Sequence, residues 1–334
     1  MKFCILRTRP ITGLLIVCLA LALGCKSRGS TAANPPADPP FMSAVAGAPP
    51  VPAAQQAPSP DQTGGFDGKR AYDLVAKQVS YGPRPAGSPA LAKLQDYLET
   101  ELKSYGCAVE TDSFSADTPA GRLPMKNLLA KIPGQKPGIL LLGTHYDTKR
   151  LDNFVGADDA GSSTAVMLEL ARLLCKQPPQ KYAVWIAFFD GEEAVNPQWK
   201  DPDNRYGSRQ MAAKLAASGD LKNVKAFILA DLVGYNNLLI KPEENSTKAL
   251  NEMVWKIAAQ LGYQDIFVND EILGVSDDHL SFLSRKVPSV DLINLNNTGT
   301  YWHTPQDAMD KISPKSLAIV GYVILETINH LQRQ

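Results

Sequence analysis

Four residues, Asp190-Gly191-Glu192-Glu193, carry the strongest chemical signal in the chain. They follow directly on the apolar run over 182–189, Tyr-Ala-Val-Trp-Ile-Ala-Phe-Phe, whose aromatic and branched composition predicts a strand buried on both faces of a sheet. Carboxylates at the end of a buried strand are costly unless a positive charge meets them, and open α/β sheets bind their ligands at the carboxyl ends of strands. A metal cation meets both conditions. Two adjacent glutamates then divide the labour, one ligating the ion and its neighbour moving a proton. An acidic turn capping the next helix is the commoner explanation of an isolated Glu-Glu, so the other strand ends must decide.

Nitrogen donors are few: His145, His279, His303 and His330 complete the histidine inventory. His145 stands in Thr144-His145-Tyr146-Asp147, straight after a predicted strand, and His303 stands in Tyr301-Trp302-His303-Thr304-Pro305, after the last one. In a parallel sheet both emerge on the rim that carries 190–193. Between the first two clusters lies Gly156-Ala157-Asp158-Asp159-Ala160-Gly161-Ser162-Ser163, a turn opening a helix. Aspartate suits a helix N-terminus, so one of the pair can cap while the other faces the ion. Asp231 ends a further strand, and Ser276-Asp277-Asp278-His279 opens the helix before the final strand. Each ending alone reads as a cap or a solvated turn. Together they put carboxylate or imidazole on at least four strands, which capping does not explain. Histidine, aspartate and glutamate donors without cysteine suit catalytic zinc, with three protein ligands and one open position.

The elements that must position these groups follow from periodicity. Ala71, Leu74, Val75 and Val79 recur at helical spacing. Ser88 and Pro89 suit the cap and first position of a helix over about 90–105. Strands are predicted over 107–114, 125–132, 138–143, 182–189, 226–230 and 287–293, and helices over 159–175, 206–217, 247–261 and 314–331. The alternation implies an α/β fold: a three-layer α/β/α sandwich whose central sheet is mixed but mostly parallel, with a hairpin-like edge.

The chain has 334 residues, 44% of them hydrophobic, and a formal net charge of zero. That is ample for a full core, and nothing basic enough to track a phosphate backbone is present, which argues against nucleic acid as a partner. Lys2, Arg7 and Arg9 precede the apolar run 11–23, which ends at Gly24-Cys25. Residues 1–25 read as an export signal, too short and abruptly ended for a membrane span. Leu-Ala-Leu-Gly-Cys resembles a bacterial lipoprotein box, with Ala22 where leucine is usual; acylation of Cys25, or ordinary cleavage and release, are the two outcomes. Residues 26–65, rich in Pro, Ala, Gln and Ser, read as a disordered tether that would hold the single domain, 66–334, off a membrane. The chain is therefore expected to be exported, with a lipid anchor as its only membrane contact. Cys107 and Cys175 are the two cysteines of the folded part; they read as small buried residues, and spacing leaves their pairing open.

From about residue 81 onward, the ordered set His145-Tyr146-Asp147, Gly156 to Asp159, Asp190 to Glu193, Asp231, Asp277-Asp278-His279 and His303-Thr304-Pro305 resembles the M28 zinc peptidases. Within that clan it is most similar to the animal-type glutaminyl cyclases, on Gly82-Pro83-Arg84, Gly87-Ser88-Pro89, Trp199, the run 203–209 and Trp302 immediately before His303. The resemblance implies a glutaminyl-peptide cyclotransferase, which forms N-terminal pyroglutamate from N-terminal glutamine of peptides or proteins and releases ammonia. It implies one zinc held by Asp159, Glu193 and His303, with Glu192 as proton shuttle, Asp231 and Asp277 as the acids that tune it, and Trp199 and Trp302 as pocket walls. The alternative is an M28-type aminopeptidase with two zinc ions, in which His145 and Asp231 would serve the second. Thr144 stands where animal cyclases commonly have a disulfide cysteine, and Asp291 replaces a histidine expected in the last strand.

Overall fold

The computed structural model describes residues 50–272, 274–295 and 298–334. The expected export signal and the first part of the tether, 26–49, lie outside the described residues. Six strands form one sheet: β1 (Ala108–Thr118), β2 (Gly121–Ile132), β3 (Ile139–His145), β4 (Ala183–Phe189), β5 (Val224–Asp231) and β6 (Ser289–Ile293). Their order is β1-β2-β4-β3-β5-β6. The β1–β2 hairpin and the β2–β4 pair are antiparallel, whereas β4, β3, β5 and β6 run parallel. This is the mixed, mostly parallel sheet with a hairpin edge that the sequence predicts.

Seven α-helices cover it among the described residues: α1 (Gly68–Val79), α2 (Pro89–Ser104), α3 (Gly161–Leu174), α4 (Tyr206–Ser218), α5 (Lys248–Gln260), α6 (His279–Leu283) and α7 (Pro314–Arg333). Strand side chains alternate between the two layers. Leu140 and Leu142 of β3 pack with α1, α2, α3, α5 and α7, while Ile139 and Leu141 face α4 and Phe282 of α6. Ser88 caps α2 as its sequence predicts, accepting from Leu91 N, and Ser313 caps α7, accepting from Ser316 N; each is followed by proline. Among the described residues no helix is long and apolar enough to cross a membrane.

Two readings change. The end of the expected tether, from residue 50, is laid on the domain: Val51 and Ala57 pack against the core, and Gln55 Nε2 donates to Asn236 O at 2.9 Å. Composition hides this because the segment has few large apolar residues, but prolines leave it less entropy to lose on docking. Cys107, just before β1, and Cys175, at the end of α3, are joined by a disulfide with Cα atoms 5.1 Å apart. They are not two separate small buried residues; the packing of α3 along the hairpin's base brings them together.

Candidate metal centre and catalytic pocket

Parallel strand order delivers the chemistry to one rim. β3 ends on His145, β4 runs into Asp190 to Glu193, and β5 ends on Asp231. The loop before α3 adds Asp158 and Asp159, the loop before α6 adds Asp277, and the segment after β6 adds His303. His303 Nε2 lies 3.2 Å from Asp159 Oδ2 and 3.1 Å from Glu193 Oε1. These three groups can each offer a ligand atom to one cation, and the set His145, Asp159 and Asp231 can do the same. Asp159 belongs to both sets. In the second, His145 Nε2 is 3.2 Å from Asp231 Oδ1 and 3.3 Å from Asp159 Oδ1.

Backbone hydrogen bonds hold this rim. Asp147 accepts from Glu192 N at 3.0 Å and Glu193 N at 3.3 Å, so the turn after β3 sets the turn after β4. Asp307 does the same for the α3 loop, accepting from Asp158 N at 2.7 Å and Asp159 N at 3.1 Å. Asp158 was a candidate cap but caps nothing: its oxygens accept from Gly234 N and Tyr301 Oη, at 2.7 and 2.8 Å, and Ala160 occupies the cap position of α3 without a side-chain bond. Arg84, fully buried, donates to the carbonyls of Gln78, Gly82, Val155 and Gly156, pinning the glycine turn that leads to Asp159. Burial lowers the Arg84 guanidinium to about 10. His303 and Leu232 adopt left-handed backbone, at φ 53° and 51°, a strained conformation for non-glycine residues and one concentrated at functional sites.

Burial raises the carboxyls of both glutamates, with His303 and Lys149 opposing the rise at Glu193. Burial pushes the Glu192 carboxyl well above its ordinary range; His145 opposes the rise, and Asp277, Glu193 and Asp278 add to it. Asp277 is thus one contributor to that rise, while Asp231 is turned toward His145 and is itself raised by burial to about 7. Burial disfavours the His303 cation, yet Asp159 and Glu193 outweigh that and raise it to about 10. Such a histidine sits where a positive charge is strongly favoured, and a divalent ion would supply one. The buried His–Asp–Glu set without cysteine fits zinc.

These groups open onto a cavity of about 330 Å³ walled by Trp199, Trp302, Leu232, Val275, Ile293 and Leu295, with Asp159, Glu192, Glu193, Asp231, Asp277 and His303 lining it too. Trp302 stacks on His303, ring centroids 4.0 Å apart, and donates Nε1–H to Asp159 Oδ2 at 3.0 Å. Sequence reasoning missed three contributors. Lys149 is buried with Nζ 3.3 Å from Glu193 Oε2. Asp307 gave no signal beyond its proximity to His303. Glu243, from the loop before α5, meets His279 Nε2 at 3.0 Å, and His279 Nδ1 is 3.5 Å from Asp291 Oδ2, a buried cluster behind Asp277.

Residues 127–328 match the profile of peptidase family M28. The chain belongs to that family. Among curated relatives, the glutaminyl-peptide cyclotransferase-like protein of Bos taurus is 30% identical over 263 residues, 70% of this chain and 68% of the relative. Among solved structures, a glutaminyl cyclase from an Acidobacteriales bacterium superposes with a TM-score of 0.76 at 38% identity, covering 85% of this chain and 99% of that one. A Zn-dependent exopeptidase from Parabacteroides distasonis superposes with a TM-score of 0.72 at 31% identity, covering 79% of this chain and 98% of that one. The mixed six-stranded sheet and its helices described above are thus an M28 fold.

Proposed function

We propose that this chain is a zinc-dependent glutaminyl-peptide cyclotransferase, acting on peptide or protein N-termini that begin with glutamine. The observation that carries the reading is the placement of Glu192, a buried carboxyl with a raised pKa, in a tryptophan-walled cavity beside the Asp159, Glu193 and His303 donors. In the reaction the substrate α-amine bonds to its own side-chain amide carbon, the carbon–nitrogen bond of that amide breaks, and ammonia leaves. Asp159, Glu193 and His303 hold the zinc, which when bound supplies Lewis-acid polarisation of the attacked carbonyl. Glu192 takes a proton from the α-amine and delivers it to the departing nitrogen, a two-way task suited to a carboxyl whose pKa burial has raised. Asp277 adds to that rise. Trp199 and Trp302 hold the chain end bent over the amide, which makes the attack intramolecular, and keep out the water that hydrolysis would need.

The set His145, Asp159 and Asp231 supports a second reading, an aminopeptidase with two zinc ions. Ammonia release from a Gln-initiated peptide, run beside amino-acid release from a Leu-initiated one, decides between them; zinc content per chain gives an independent answer, one ion for the cyclase and two for the peptidase. Peptide hydrolysis without cyclisation would falsify the first reading.

We further propose export with membrane attachment through acylated Cys25, residues 26–49 acting as the spacer before the docked segment. Its support is the signal-like sequence of residues 1–25. Metabolic labelling with a fatty acid, lost in C25S, tests it; an unlabelled wild-type chain rejects it in favour of cleavage and release.

A further inference from the structure

The two oxygens of Glu193 serve different partners. Oε1 is 3.1 Å from His303 Nε2, on the side of the ion donors, whereas Oε2 is 3.3 Å from Lys149 Nζ. Lys149 leaves the rim on the loop after β3 and is only 3% exposed. A lysine is seldom so buried without a pressing electrostatic reason, and among its neighbours Glu193 is that reason. Its ammonium also lies 5.7 Å from the Trp199 ring centroid, within the range of a cation–π contact, so it joins a candidate ion ligand to the pocket wall.

A fixed cation beside a ligand carboxylate has two opposed effects. It repels a second cation and so weakens metal binding. It also draws electron density from the carboxylate, which then donates less to the ion and leaves it a stronger Lewis acid. We infer that Lys149 is a positioning residue that occupies Oε2 of Glu193, leaving Oε1 for the ion, and that it trades metal affinity for electrophilicity. The inference rests on the zinc cyclase reading above.

The test uses the full-length protein and the variants K149M, which keeps length and bulk without charge, and K149R, which restores charge. Zinc affinity is read by competition with a chromophoric chelator, kinetics with a Gln-initiated peptide at saturating zinc, and the ligand field from visible absorption of the cobalt-substituted protein. K149M is expected to bind zinc at least as tightly as wild type while kcat falls about 10–100-fold, the usual range for groups that orient metal ligands. KM should change less than kcat, and the cobalt spectrum should shift as Glu193 gains freedom to offer both oxygens. K149R should recover part of kcat and the wild-type zinc affinity. Zinc affinity falling together with kcat in K149M, or kcat retained there, overturns the inference. Thermal melting checks folding, and K149Q carries the same expectations should K149M not fold. A wild-type protein that binds no zinc and releases no ammonia overturns the underlying reading, whereas an active zinc-loaded wild type matched by K149M overturns the role of Lys149 alone.

Discussion

Trp302 donates its indole N–H to Asp159 Oδ2 at 3.0 Å while its ring stacks on His303 at 4.0 Å. One side chain thereby walls the pocket and orients two of the three donors to the proposed ion. W302F keeps a ring against His303 but removes the N–H donor. Zinc affinity in W302F should fall about 10–100-fold by chelator competition, with a smaller change in KM. W302A should lose both and raise KM for a Gln-initiated peptide as well. Unchanged zinc affinity in W302F would count against the orienting role.

The adjacent glutamates should fail in different ways. E192Q keeps a neutral polar group of the same shape and removes the proton carrier, so kcat should drop about 10²–10⁴-fold with zinc content intact. E193A removes a donor from the set that includes Asp159 and His303, and zinc should be lost on dialysis. Elemental analysis beside ammonia release separates the two. Full activity in E192Q rules out its shuttle role.

Glu243 ties the loop before α5 to the pocket wall, accepting from the backbone N–H of Asn245, Ser246 and Val275 at 3.0, 2.7 and 3.2 Å. Burial would raise its pKa, but His279 and the Asn245 donors outweigh burial and bring it from 4.5 down to about 2. The unfolded chain therefore binds this proton more tightly than the folded one. The associated stability is full above the unfolded pKa and is lost as pH falls from about 4.5 toward about 2. E243Q should be less stable than wild type at pH 7 by on the order of 3 kcal/mol, and the gap should close in that acid window. Denaturant melts at pH 7 and pH 3 read it directly.

The Cys107–Cys175 disulfide spans 68 residues of sequence and ties α3 to the start of the hairpin. Replacing both cysteines by serine should lower stability by about 2–4 kcal/mol, through the greater freedom of the unfolded chain. The pair lies away from the catalytic rim, so zinc content and KM should stay at wild-type values. A matching loss of zinc would show that the hairpin base and the rim are coupled.

What the sequence determined by itself was the list of parts and their order. Buried strands declared themselves by unbroken apolar runs such as 182–189, a helix start by Ser88-Pro89, and the acids and imidazoles by standing directly after predicted strands. Those are local signals, set by side-chain period and backbone preference, and a parallel sheet carries such endings to one side. Tertiary structure decided what local signals do not hold. Asp158 and Asp159 are neighbours of equal capping propensity, yet Gly234 and Tyr301 claim one while Asp159 faces His303, because β5 and the loop after β6 pack there. Nothing along the chain links Lys149 to Glu193, Asp307 to the α3 loop, or Glu243 to His279, since each pairing exists only after elements distant in sequence are packed. Cys107 and Cys175 meet for the same reason. Residue types and their order could therefore announce a cation-binding rim, but which carboxylate oxygen faces which partner is fixed only by the assembled core.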